Sequence, residues 1–193
     1  MIYRRYFDRL RMTAPPAFLL CLAVACNVSQ PHDPRPPPEV PEDMPDDFHV
    51  RSEYFGQAVA PVYHYDYLIV LDPTTTDTIS FHPDYIESNP PVWVETFTAT
   101  AGDLEDLWDR MVDQNLFRDD WIRSQDTLFG AWTRTLQVTA ENAYYTIPKW
   151  VRDTTSANAI YRHVDSLVPD AVWDSLWTWR QRYISGDTTS GRP

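Results

Sequence analysis

The chain has 193 residues, of which 43% are hydrophobic and 14% aromatic, and its formal net charge at pH 7 is −12. This acidity excludes nucleic acid as a partner, because proteins that bind nucleic acid present basic surfaces to the phosphates. The aromatic content excludes a wholly disordered chain, since eight tryptophans supply ample apolar area for a core.

The N-terminus combines a basic segment with a short apolar run. Arg4, Arg5, Arg9 and Arg11 precede the uncharged stretch AFLLCLAVA at residues 17–25, an arrangement typical of a secretory signal peptide. The run has about nine residues, and a helix needs roughly 20 to cross the hydrocarbon core of a membrane. We therefore expect residues 1–25 to be a signal peptide that is cleaved between Ala25 and Cys26.

The tetrapeptide AVAC at residues 23–26 resembles the lipobox of bacterial lipoproteins. Ala23 stands where that family usually has leucine. The resemblance implies that the thiol of Cys26 receives a diacylglyceryl group and anchors the protein to a membrane of the cell envelope, at the outer membrane or the periplasmic face. Cys26 would be the only cysteine of the mature chain, so no disulfide could form within it. Without lipidation, an ordinary signal peptidase could cleave the same site and the protein would be secreted.

A proline-rich segment follows the cysteine. Residues 27–47 contain seven prolines and almost no large apolar side chains, so they cannot pack a core. We expect residues 26–47 to form a lipidated, semi-rigid tether that reaches roughly 60 Å in the polyproline II conformation. The alternative is that this proline-rich segment is a ligand for an SH3-like partner. Removing residues 1–25, which carry four arginines and one aspartate, shifts the net charge from −12 to −15.

Residues 48–184 are predicted to form a single globular domain, and residues 185–193 a flexible tail. Alternating and β-branched residues predict strands at 48–60, 63–71, 78–81 and 92–100. The sequence DPTTTD at residues 72–77 predicts a turn between two of them. A helix should begin after Thr100 or Gly102, because apolar residues then recur at three-to-four spacing as far as Leu116.

Two further strands and two helices complete the predicted domain. Trp132, Arg134, Leu136 and Val138 share one face of a strand, and Glu141 and Asn142 turn the chain into a second strand at 144–147. Helices are expected at 156–168 and 170–184, separated by Pro169. This order predicts the α+β class, with an antiparallel sheet of about five to six strands and helices packed on one face.

A hairpin, a helix that ends in Leu-Phe, a W-x-R-x-L-x-V strand at residues 132–138, a hairpin return and a C-terminal helix are similar in architecture to the emfourin-type small inhibitors of thermolysin-like metalloproteases. The likeness covers roughly residues 48–176. The glycine-rich first strand of that family is absent, with only Phe55 and Gly56 in its place. The resemblance implies an inhibitor-like module without catalysis.

Catalytic signatures are missing. The sequence contains no H-E-x-x-H, G-x-S-x-G, P-loop or dinucleotide-binding motif, so we expect neither an enzyme nor a cofactor or metal site. One weak pattern remains, the pair His64 and Asp66. Residues two apart on a strand share a face, so the imidazole and the carboxylate could meet each other or a metal. The alternative function is therefore an envelope hydrolase with a site near this pair. His82 and Asp84 repeat the spacing around Pro83.

The last predicted helix carries three tryptophans. Trp173 and Trp177 align along a helix, whereas Trp179 is rotated away, so the three cannot share a narrow buried stripe. One interpretation is an exposed surface that binds a partner protein, a glycan or the membrane. The other is a wide apolar face packed against the sheet. Together these features predict an envelope lipoprotein that acts as a non-catalytic binding or inhibitor-like module, with a protein partner in the envelope.

Overall fold

A computed structural model describes residue 40 and residues 43–56, 64–83, 90–117, 121–123 and 132–186. The predicted signal peptide, Ala25 and Cys26, most of the tether, and residues 187–193 lie outside these ranges, as does Asp84. Within the described ranges, no helix is long and apolar enough to cross a membrane.

Six strands form one antiparallel sheet in the described residues. The strands are β1 (His49–Gly56), β2 (Tyr65–Leu71), β3 (Asp77–His82), β4 (Trp93–Phe97), β5 (Thr133–Ala140) and β6 (Ala143–Ile147). Their order across the sheet is β4-β3-β2-β1-β5-β6. The first four strands are a meander, and the β5–β6 hairpin adds to the free edge of β1. The predicted α+β class is confirmed.

In the part of the chain that the structure describes, three helices accompany the sheet, namely α1 (Ala101–Asp113), α2 (Thr154–Leu167) and α3 (Asp170–Ser185). α1 begins at Thr100, whose hydroxyl accepts a hydrogen bond from the N–H of Asp103 while the Asp103 carboxylate accepts one from the N–H of Thr100. α2 begins two residues earlier than predicted, because Asp153 caps it by accepting from the N–H of Ser156. α3 ends at Gly186, which is in the left-handed conformation.

The strand boundaries agree with the predicted ones to within two residues except at the ends of β1 and β4, and β4 ends at Phe97, three residues before the predicted end at residue 100. β1 ends at Gly56, and the predicted continuation to residue 60 lies outside the described residues. The two-residue turn between β5 and β6 is confirmed, with Glu141 and Asn142 both at positive φ. The carboxylate of Asp47 accepts hydrogen bonds from both of their N–H groups, which fixes the start of the domain to this turn.

One face of the sheet is buried under the helices. The strand residues on this face alternate with more exposed neighbours, and the fully buried ones include Val50, Ile69, Leu71, Ile79, Phe81, Leu136, Val138 and Ile147. From α1, Trp108 meets the ring of Phe48 edge to face at 5.4 Å. The helices therefore cover a single face, as the sequence predicted.

Candidate binding site

A row of large side chains crosses five strands at one end of the helix-covered face. Successive register partners place Arg134 of β5 beside Tyr54, then Tyr67, Phe81 and Trp93. Neighbouring rings in this row are 4.9, 6.5 and 6.0 Å apart between centroids and almost parallel. The row forms a flat aromatic floor under α2 and α3.

The three tryptophans singled out in the sequence pack on this floor from α3. The ring of Trp173 meets Tyr67 edge to face at 5.1 Å, that of Trp177 meets Phe81 at 5.3 Å, and that of Trp179 meets Trp93 at 5.9 Å. Each tryptophan is partly buried against the core. Their contacts match the interpretation of a wide apolar face against the sheet, and a binding role for them stays a prediction.

Arg134 ends the aromatic row with an ion pair to α2. Its Nη1 and Nη2 donate to the two carboxylate oxygens of Asp165, and Nη2 also donates to the hydroxyl of Tyr67 at 3.0 Å. The Tyr67 hydroxyl in turn donates to Asp165 at 3.2 Å. The guanidinium carbon lies 5.7 Å from the Tyr54 ring centroid and 4.7 Å from that of Tyr161, so aromatic faces enclose the charge.

The protonation states around this ion pair are fixed near neutral pH. Burial lowers the pKa of Arg134. The hydrogen bonds to Asp165 and the electrostatic interactions with Tyr67, Asp165 and Tyr161 raise it more, so the guanidinium stays charged. Burial raises the pKa values of Tyr54, Tyr67 and Tyr161 above their ordinary value. These phenols therefore remain protonated and act as hydrogen-bonding and packing groups.

An open pocket of about 410 Å³ lies over the ion pair. Its lining residues come from three strands and one helix: Tyr54, Tyr67, Trp132, Arg134, Asn158, Arg162 and Asp165. Trp132, directly before β5, is 53% exposed, and its ring lies 6.5 Å from that of Tyr54 with only 15° between the planes. The spacing of four and three residues between the α2 members places them on one helix face. We call this set of residues the Trp132 pocket.

A second pocket, of about 300 Å³, lies near the end of α1 and the start of α2. Two of its polar side chains are already engaged in local structure. Trp121 donates from its indole nitrogen to the carbonyl oxygen of Leu116, and Asp153 caps α2. The Trp132 pocket is therefore the stronger candidate for a functional site.

The structure pairs Asp66 with a different histidine from the one suggested by spacing. His64 is buried just before β2, and its carbonyl oxygen accepts a hydrogen bond from Arg180 at 3.4 Å. Asp66 lies on the sheet face away from the helices, directly opposite His82 in register, with 3.8 Å between Oδ1 and Nδ1. Burial raises the pKa of Asp66, the His82 charge lowers it, and Glu53 raises it further. Among the described residues, no group of three His, Cys, Asp or Glu side chains could hold a metal ion.

Two comparisons of the sequence with known proteins find no match. No model of a known protein family matches the chain, and no curated protein is significantly similar to it. We therefore infer function from the geometry of the described residues and from the N-terminal sequence.

The sequence reasoning placed Trp132 and Arg134 on one strand face but did not recognise them as a site, and it did not single out Asp165. A signal was present. Arg134 alternates with Leu136 and Val138 on a core-facing strand surface, and a buried guanidinium there requires a counter-charge. Asp165 follows the buried Tyr161 by four residues, which puts a carboxylate on the core side of α2.

Proposed function

We propose that this protein is a lipid-anchored lipoprotein of the bacterial cell envelope and that its domain is a non-catalytic binding module whose binding site is the Trp132 pocket. The observation that carries the proposal is the half-exposed Trp132 ring, which lines an open pocket together with the Arg134–Asp165 ion pair.

Three properties of the pocket suit binding. Its volume falls within the roughly 300–1,000 Å³ of small-ligand pockets, and its wall combines aromatic rings with a few polar groups. A tryptophan that exposes half its surface offers a large, rigid contact area with little conformational entropy to lose. The ion pair in the same pocket holds the Arg134 guanidinium and the Asp165 carboxylate in place before a ligand arrives, which limits the entropic cost of binding.

The chemistry of the pocket favours binding over catalysis. Asp165 is committed to Arg134 and Tyr67, so a proton on its carboxylate would break the ion pair. The neighbouring phenols stay protonated at neutral pH because burial raises their pKa values. The phenols therefore donate and accept hydrogen bonds without exchanging protons, in contrast to a general acid–base pair with pKa values near neutrality.

The anchor is supported by the basic segment, the short apolar run and the AVAC tetrapeptide before Cys26. Two or three acyl chains give stable membrane attachment, since each buried CH₂ contributes about 0.8 kcal/mol. The experiment is expression of wild type, Cys26→Ser and Cys21→Ser in a Gram-negative host, followed by membrane sedimentation and intact mass. We expect Cys26→Ser to leave the membrane fraction and Cys21→Ser to stay there. Equal sedimentation of all three, or processing that is insensitive to globomycin, would overturn the anchor.

The binding function is tested with the mature protein and fragmented envelope material from the same host. We expect Trp132→Ala to reduce retention on this material at least tenfold, while Tyr144→Ala, which alters an exposed ring on the opposite sheet face, leaves retention unchanged. Equal retention of both variants, or none by wild type, would refute the proposed site.

If a hydrolase screen instead revealed an activity that His64→Ala abolishes without loss of folding, an enzymatic function would replace binding. Inhibition of a thermolysin-type protease that is lost in Trp132→Ala would support a binding module that acts as an inhibitor.

A further inference from the structure

We infer that the ligand of the Trp132 pocket is a sugar ring, a pyranose unit of an envelope glycan that stacks on Trp132. This inference rests on the binding function proposed above and adds the chemical class of the ligand.

The aromatic part of the pocket fits the apolar face of a pyranose. A pyranose ring presents axial C–H groups on its face and hydroxyl groups around its rim, so it needs a flat aromatic surface with polar groups beside it. The Trp132 ring is exposed and lies within 15° of the Tyr54 plane. Tyr54 belongs to β1 and Trp132 directly precedes β5, which pairs with β1, so the sheet holds both rings in place before binding.

The polar part of the pocket fits the rim hydroxyls. Asp165, Asn158 and Arg162 project from one face of α2 and line the pocket beside the tryptophan. An amide offers both a donor and an acceptor, and a guanidinium offers a planar fork of donors. Vicinal hydroxyls of a sugar, each of which donates and accepts, match such planar groups in pairs.

Asp165 has acceptor capacity left for a ligand. A carboxylate has about four lone-pair positions, and Arg134 and Tyr67 together occupy three of them, two on Oδ1 and one on Oδ2. Its side chain keeps 28% of its surface exposed at the pocket. A sugar hydroxyl that donates to Oδ2 would complete the set and form a charge-assisted hydrogen bond.

Electrostatics favour a largely neutral ligand. Asp165 compensates the charge of Arg134, which leaves Arg162 as the uncompensated cation among the pocket-lining residues. The mature chain carries a net charge of −15, so highly anionic ligands such as nucleic acids are repelled at a distance. A glycan strand with at most one carboxylate per disaccharide has a much lower charge density and is repelled less.

The test uses the mature full-length protein and two fractions of bacterial cell wall: glycan strands freed of their stem peptides by an amidase, and the released stem peptides. Isothermal titration calorimetry should detect binding of the glycan strands and none of the peptides. Trp132→Ala and Asn158→Ala should each weaken this binding at least tenfold, whereas Tyr144→Ala should not change it. Asn158→Ala keeps the inference testable if the tryptophan variant folds poorly.

The outcomes separate this inference from the proposed function. Glycan binding that persists unchanged in both pocket variants overturns the inference, because the sugar then binds elsewhere. Binding of the stem peptides alone also overturns it. If no saccharide binds while Trp132→Ala still reduces retention on whole envelope material, the sugar is wrong and the binding module stands. If neither effect is seen, both proposals fail.

Discussion

The guanidinium of Arg134 and the carboxylate of Asp165 meet through two parallel hydrogen bonds, from Nη1 to Oδ2 at 2.8 Å and from Nη2 to Oδ1 at 2.5 Å. The pair connects β5 to α2, and the arginine side chain is only 9% exposed. Removing one partner of such a pair leaves the other as a buried, uncompensated charge.

Asp165→Asn should therefore lower the free energy of unfolding by about 2–4 kcal/mol, somewhat less than for a fully buried pair because the aspartate is partly exposed. Urea unfolding measures the change. Asp174→Asn, at an exposed position on α3, is the matched control. The double variant Arg134→Met/Asp165→Asn should recover part of the loss. If Asp165→Asn is no less stable than the control, the pair does not stabilise the fold.

Asp77 joins three segments through one buried carboxylate. Its Oδ1 accepts from the N–H of Asp72 at 3.0 Å and its Oδ2 from the N–H of Ala99 at 2.7 Å. Asp77→Asn replaces one acceptor oxygen with a donor, so one buried N–H loses its partner, which costs about 1–3 kcal/mol. Chemical denaturation should show this loss in Asp77→Asn and almost none in the exposed Asp109→Asn. Equal stability of the two variants would contradict the predicted role.

The capping box at the start of α1 gives a third prediction. Thr100→Ala removes the hydroxyl that accepts from the N–H of Asp103 and should cost about 1 kcal/mol of stability. Thr98→Ala changes an exposed threonine two residues earlier, outside the helix, and should have little effect. Thermal unfolding of the two variants tests the difference, and a larger loss in Thr98→Ala would rule out the cap as the cause.

His163 on α2 should make stability depend on pH. Burial and the charge of Arg110 lower its pKa below 6.5, although Asp106 and Asp103 act in the opposite direction. The folded state then binds this proton less tightly than the unfolded chain, so the stability is fully present above pH 6.5 and is lost as the pH falls through that value towards the lower folded pKa.

The measurement for His163 compares urea unfolding of wild type and His163→Gln between pH 5.5 and 7.5. The wild type should lose more stability on acidification than the variant. His49, His64 and His82 are present in both proteins, so the difference isolates His163. Identical pH dependence in the two proteins would show that its pKa is the same folded and unfolded.

The β5–β6 turn offers a stabilising substitution. Glu141 has φ of 52°, a left-handed conformation that costs most residues energy but suits asparagine. Glu141→Asn should raise stability by about 0.5–1 kcal/mol. Glu141→Gln keeps an unsuitable side chain at the same position and should leave the melting temperature unchanged. A matching increase in both variants would attribute the effect to charge removal instead of backbone conformation.

Local sequence patterns predicted the fold well because each element carries its own periodicity and end signals. The apolar spacing from Leu104 predicted α1 with a cap at Thr100 or Gly102; the structure selects Thr100 and ends the helix at Asp113, so Leu116 lies beyond it. Glu141-Asn142 was sufficient for the hairpin turn. The candidate site depends on contacts between distant segments, so it was harder to foresee. Arg134 and Asp165 are 31 residues apart. Neither the strand pattern around Arg134 nor the helix pattern around Asp165 shows that the two side chains meet.

The same limit explains the two residue sets that the sequence singled out. The spacing of His64 and Asp66 suggested a shared face, but β2 begins only at Tyr65, and the register of β2 with β3 brings Asp66 to His82. Helical spacing correctly predicted that Trp173, Trp177 and Trp179 spread around α3 and share no narrow stripe. Whether such a spread means exposure or a wide contact depends on how far the sheet extends beneath the helix, which the helix sequence does not encode.

The position of β1 has a consequence for the order of folding. It is the first of the six described strands to be synthesised, yet β5, one of its two partners, follows only after β2, β3, β4 and α1. A chain that emerges from the ribosome N-terminus first can build the meander early, but one side of β1 remains without backbone partners until residues 133–140 have been made. Closure of that late pairing, which bridges positions as far apart as His49 and Thr139, should therefore limit the rate at which the native sheet forms.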